Sequence, residues 1–157
     1  MGLRKTFATD SQVENKGVVL EYGDTRIRIA RAGGANKKFA LALNEATRPL
    51  RRAIAADAVD SDQQRDILVQ VYVDTVILSI ENRVHAPGND EPQWQRGILH
   101  ADIGVEKAEG DANLLPDTKA NILKLLVALP ELFNDIQQQA QNYALFKADI
   151  DEELAKN

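Results

Sequence analysis

With 157 residues, 44% of them hydrophobic, the chain can bury one sizeable core, and a single domain over 1–157 is expected. The absence of cysteine excludes disulfides, thiolate metal sites and cysteine nucleophiles together, and fits a reducing compartment. The net charge of −5 hides an asymmetry: residues 1–55 carry eleven Lys and Arg against five Asp and Glu (+6), and residues 56–157 carry eight against nineteen (−11). A head and tail of opposite sign can attract within a molecule or between copies, although ordinary surface charge is the plainer account. No apolar run approaches about eighteen residues and no basic-then-apolar leader opens the chain, so neither a membrane span nor classical secretion is expected.

Residues 1–16 read as an arm or short helix, with isolated Leu3, Phe7 and Val13, and with Asp10 or Ser11 as cap. The clearest strand signal follows. Val18-Val19-Leu20-Glu21-Tyr22 and Thr25-Arg26-Ile27-Arg28-Ile29-Ala30 flank Gly23-Asp24, a two-residue hairpin turn of the glycine-first type. Ile27 and Ile29 then face one way, Arg26 and Arg28 the other. Gly33-Gly34 is expected to end this sheet and turn the chain.

From Ala35 to about Ala56 the spacing is helical (Phe39, Leu43, Ala46, Leu50, Ala53, Ile54), with Asn36 as a candidate cap and Pro49 as a kink or split. Ser61 with Gln64 suggests a capping box. Asp66 to Val84 is rich in β-branched residues, yet Asp66, Gln70, Asp74 and Glu81 step along one helical face, and the segment is expected to be a mostly buried helix. Residues 85–113 follow no period and read as a long irregular loop holding Trp94 and the only histidines, His85 and His100. From 114 to 154 an apolar stripe runs through Ile122, Leu125, Leu126, Leu129, Leu132, Phe133, Ile136, Ala140, Tyr143 and Phe146. Pro130 kinks it or, as favoured, opens a second helix set at an angle to the first. The stripe reads as core, or as core whose far end, Phe133 to Phe146, is left partly exposed for a partner.

The sequence carries little that marks a reaction site. His85 and His100 lack a metal-ligand spacing, and Asp57, Asp60 and Asp62 surround a helix start, where carboxylates suit the macrodipole. Ala32-Gly33-Gly34-Ala35-Asn36-Lys37-Lys38 is a glycine-rich run before a helix that can cradle a phosphate. It has no P-loop or dinucleotide signature, and a plain strand-to-helix turn is the simpler reading. Arg26, Arg28, Arg31, Lys37, Lys38, Arg48, Arg51 and Arg52 form a basic set able to grip nucleic acid, with few aromatics interleaved and a whole-chain pI of about 5.1 against it. Trp94 either anchors a partner or pins its own loop. The expectation is a non-enzyme without cofactor or metal. The expected fold is α+β, predominantly α-helical, with an N-terminal β-hairpin (17–32) packed against four to five helices.

The order of several segments resembles a known family. The short Leu/Phe arm is followed by Gly17-Val18-Val19-Leu20-Glu21-Tyr22, then by Arg26 to Gly33 leading to Asn36-Lys37-Lys38-Phe39, then by Thr47-Arg48-Pro49. Leu129-Pro130-Glu131-Leu132-Phe133-Asn134-Asp135-Ile136 and Gln141-Asn142-Tyr143-Ala144-Leu145-Phe146 close the series. Over residues 2–84 and 114–147 this is similar to the tail assembly chaperones of long-tailed, double-stranded-DNA bacteriophages and prophages. Residues 85–113 have no counterpart in the resemblance.

The resemblance implies a small non-catalytic protein of the bacterial host cytoplasm, absent from the mature virion. It implies that many copies coat the tape measure protein and keep it soluble until tail tube subunits displace them. It also implies self-association into a homo-oligomer and a frameshift-extended form; Ala155-Lys156-Asn157 can be encoded by a slippery heptamer. On this reading Leu129, Leu132, Phe133, Ile136, Tyr143 and Phe146 form the partner-binding face. Arg48, Arg51 and Arg52 of one copy meet Asp149, Asp151 and Glu152 of the next, a contact that salt weakens. The alternative function is a nucleic-acid-associated regulator using the basic N-terminal half, with binding that falls steeply with salt.

Overall fold

The hairpin forms where the sequence places it in the computed structural model, which describes residues 2–85, 88 and 90–147. Strands β1 (Val18–Tyr22) and β2 (Thr25–Ile29) pair antiparallel with Tyr22 opposite Thr25. Of the two turn residues only Gly23 has positive φ, +63°, as a glycine-first turn requires. Before the hairpin lie α1 (Leu3–Phe7) and α2 (Ser11–Lys16). Asp10 caps α2, its carboxylate accepting from the N–H groups of Gln12 and Val13.

Pro49 splits the next segment into α3 (Lys37–Thr47), a 3-10 turn at Arg48–Leu50, and α4 (Arg51–Ala55). Asn36 sits at the cap position of α3 without capping it. Its side-chain N–H groups donate instead to the carbonyls of Arg31 and Thr75. Helix α5 (Ser61–Thr75) is capped by Asp60, which accepts from the Gln63 N–H at 2.8 Å; Ser61, the expected cap, is its first residue. Replacing Asp60 by Ala is expected to cost about 1 kcal/mol. The urea midpoint reads this, and an unmoved midpoint would leave the cap with no energetic role.

The helix expected to continue to Val84 stops at Thr75. Residues Ile77–Val84 form β3, an interior strand that pairs antiparallel with β2 and with β4 (Gln93–Arg96) in a sheet of order β1-β2-β3-β4. Gly33-Gly34 therefore does not end the sheet. The alternation that should mark β3 is scrambled. Asn82 points to the inner face, where it is buried and satisfied by Thr25 and the Gly97 carbonyl, while Leu78, at the bulge beside Ile29, is exposed. Glu81, counted with the helical polar face, stands on the outer face opposite Arg26 at 3.2 Å.

The stretch expected as one irregular loop also contains structure: β4, a 3-10 turn at His100–Ile103, and β5 (Ile98–Leu99), which pairs with β6 (Leu114–Leu115). Pro130 behaves as expected. Helix α6 (Lys119–Ala128) ends before it and α7 (Pro130–Gln141) begins on it, with Leu129 flanking both; a 3-10 turn at Tyr143–Phe146 follows. The architecture is α+β. Ile27, Ile29, Ile77 and Ile80 of the sheet meet Val69, Tyr72 and Val73 of α5, Ile122, Leu125 and Leu126 of α6, and Phe133, Ile136 and Ala140 of α7. Asp117 fastens β3, accepting from the Ile80 N–H at 3.1 Å and from Arg96 at 2.8 Å.

Candidate functional site

The glycine-rich turn ahead of α3 already holds an anion, the carboxylate of Glu14. Glu14 is 2% exposed. Its Oε1 takes a hydrogen bond from Arg31 at 2.9 Å, and its Oε2 accepts from the Ala35 N–H. Gly34, at φ +56°, lies so close to this carboxylate that a Cβ there would strike it. Burial raises the Glu14 pKa, but the bonds from Thr9, Ala35 and Arg31 outweigh it, and the net shift is downward. The turn expected as a phosphate cradle is thus an internal lock joining α2 to the start of α3. No sequence pattern marked Glu14 for this.

The basic residues do not gather into one patch. Arg31 is paired with Glu14, and Arg26 pairs with Glu81 while its guanidinium stacks 3.9 Å above the Trp94 ring. Trp94 therefore packs on the outer face of the sheet and ties its own strand, β4, to β2 across β3. Arg28 lies exposed on that face, and Lys37 and Lys38 are exposed at the start of α3. Arg48, Arg51 and Arg52 stand exposed around the α3–α4 break, Arg51 donating to the Asn44 side chain at 2.7 Å. Their expected counterparts Asp149, Asp151 and Glu152 lie outside the described residues, as does Ala155-Lys156-Asn157. His85 is exposed, and His100 is buried with no partner for Nδ1 among the described residues. Among the described residues no group of three His, Cys, Asp or Glu is placed to hold a metal ion.

The proposed partner-binding face divides into two sets. Phe133, Ile136 and Phe146 are buried in the interior. Their spacing matches a helical stripe whether it is covered or free; Phe133 and Ile136 are covered within the core cluster, Phe133 against Tyr72 of α5. Leu129 and Tyr143 are exposed and Leu132 is half-buried; Tyr143 stacks on the exposed Phe7 of α1 with ring centres 5.6 Å apart.

Among the described residues, openings lie along the helices; one of about 240 Å³ is lined by Asp66, Val69, Gln70, Leu123 and Val127, and two others are more apolar. One, of about 250 Å³, lies between α3–α4 and α5 and is walled by Leu43, Leu50, Ile54, Ile67 and Leu68, with Thr47 and Gln64 among its few polar groups. The other, of about 160 Å³, lies between the sheet and the α6–α7 junction. Ile27, Ile80, Ile98, Leu125, Leu129 and Leu132 wall it, and Tyr22, Thr25, Asn82 and Asp102 supply its polar atoms. The Tyr22 hydroxyl donates to Asp135 at 2.6 Å; burial first, and then that carboxylate, hold its pKa well above the usual phenol value. Both openings are smaller than the roughly 300–1,000 Å³ of small-molecule sites. They match the size of single side chains.

Fold and site define a class: an α+β protein whose openings are side-chain-sized and mainly apolar. The chain belongs to the YdaY prophage protein family, whose model matches residues 34–157. The matched range includes 85–113, the stretch outside the resemblance to tail assembly chaperones, and makes this a prophage protein. No curated protein and no solved structure matches the chain. No helix among the described residues is long and apolar enough to cross a membrane.

Proposed function

We propose that this prophage protein is a tail assembly chaperone that keeps the tape measure protein soluble until tail tube subunits replace it. The observation that carries the reading is the open apolar groove between α3–α4 and α5. Prophage membership and the segment order of the resemblance support it. A tape measure presents long apolar helical stripes, which aggregate unless covered. A helix laid in this groove would set its apolar residues against Leu43, Leu50, Ile54, Ile67 and Leu68, as in helix-in-groove recognition. Arg48, Arg51 and Arg52 at the α3–α4 break would meet acidic residues on the helix flank. A shallow groove gives weak affinity per copy, so that neighbouring copies hold by avidity and still yield to the tube.

The test is co-expression with the long helical product of the neighbouring gene. The wild-type chain should hold that product in the soluble fraction, and Ile54→Asp should lower its soluble yield several-fold with the chain's own melting unchanged. A point change is preferred to truncation from Leu129, because truncation removes Phe133 and Ile136 from the core. A partner whose solubility ignores the wild-type chain would sink the reading. Salt-sensitive quenching of Trp94, the only tryptophan, by oligonucleotides would then favour the nucleic-acid alternative.

A further inference from the structure

The opening beneath Leu129 and Leu132 differs from the groove in one respect: a lone carboxyl stands among aliphatic walls. Asp102 sits in the 3-10 turn at His100–Ile103 and lines the cavity with Ile27, Ile80, Ile98 and Leu125. The other polar groups there are spoken for. Tyr22 donates to Asp135, Thr25 donates to Asn82, and Asn82 donates to the Gly97 carbonyl. Among the described residues no hydrogen bond or cation offsets the partial burial of Asp102, and its pKa is raised by that burial. A half-buried carboxylate among aliphatic walls is less well solvated than one in open water, and a cation or donor that reaches it recovers free energy.

The volume sets the size of the missing group. About 160 Å³ is close to the ~150 Å³ apolar cavity that takes one benzene, which is room for a short unbranched chain. A methylene stem would lie along Leu125, Leu129 and Leu132, and a cationic tip would meet Asp102. Long amines are built in this way, with an apolar stem and a charged head. An ammonium has three donors and suits a single carboxylate, whereas a guanidinium is matched by a fork of acceptors that this site lacks.

We propose that this cavity is a receptor for a primary alkylammonium group, supplied by a lysine side chain of the tape measure protein. The source of the group rests on the chaperone reading; the receptor chemistry does not.

The probe is n-pentylamine, titrated near neutral pH into the full chain with labelled methyl groups and compared with n-pentanol. The Leu125, Leu129 and Leu132 methyl resonances should shift and saturate with the amine at roughly millimolar affinity, and the alcohol should bind about tenfold more weakly. Asp102→Asn should bring the amine down to the level of the alcohol. That variant loses a charge the fold resists, so it should melt no lower than the wild type. Equal binding of amine and alcohol, no saturable shift, or full amine binding by Asp102→Asn would each overturn the receptor. None of these needs the tape measure protein, so they are separate from failure of the co-expression test. With binding to the amine established, acetylation of lysines on the soluble tape measure complex tests the source. Protection of one lysine that Asp102→Asn exposes supports the side-chain assignment, and uniform acetylation overturns it.

Discussion

Phe133→Ala should lower stability by about 3–5 kcal/mol, among the largest effects available to a single substitution here. Phe133 is 1% exposed and meets the Tyr72 ring edge-on, with centres 5.4 Å apart; Tyr72 meets Phe39 in the same way at 5.7 Å. The phenyl group therefore ties α7 to α5, and through Tyr72 to α3. Its removal loses the transfer energy of a large side chain, leaves a cavity in a packed interior, and forfeits an edge-to-face pair worth about 1 kcal/mol. The Arg65 guanidinium over the same ring, at 5.4 Å, loses its platform too. Urea denaturation measures the loss. Leu129→Ala, by contrast, truncates a residue already 42% exposed and should cost less than about 1 kcal/mol. Loss of the proposed partner binding in Phe133→Ala would accordingly report unfolding, whereas the exposed Leu129 can report contact. Wild-type stability in Phe133→Ala would contradict this packing.

Glu14→Ala should cost about 3 kcal/mol, because it breaks a buried ion pair from one side. It strips the Ala35 N–H of its acceptor and Arg31 of its counter-ion, and opens the turn that Gly34 shapes. The pH dependence has a definite sign. The folded-state pKa lies below the unfolded value, so the unfolded chain takes up the proton first. The stabilisation is complete above the usual carboxylate range and is lost as pH falls through the folded pKa. Urea midpoints of wild type and Glu14→Gln should therefore differ most near neutrality and converge in acid. A gap that widens on acidification would contradict the lock. Asp102 works in the opposite direction, since its raised pKa means a cost at neutral pH that acid relieves.

Both effects belong to features that the sequence showed only in part. Local chemistry was legible: Gly23-Asp24 between alternating strands, Pro49 and Pro130 as breaks, and Asp10 ahead of α2 act within a few residues of themselves. The helical spacing of Asp66, Gln70 and Asp74 was also legible, and it holds up to the point where Val76 leaves the helix. The identity of β3 was hidden because Asn82 is buried on the inner face and Leu78 is exposed at a bulge, which erases the period of two. Strand β4 is nearly all polar and exists by pairing with β3 and by the Arg26–Trp94 stack.

The sequence by itself determined the hairpin, the helix breaks, the charge asymmetry and the absence of cysteine chemistry, since each depends on neighbouring residues or on composition. Only the tertiary structure decided that the glycine turn is filled by Glu14, that Phe133, Ile136 and Phe146 are core, and that Asp102 faces an apolar cavity. Those outcomes depend on which surfaces meet across long stretches of chain. An apolar stripe or a lone carboxylate carries the same local pattern whether it is covered or left open.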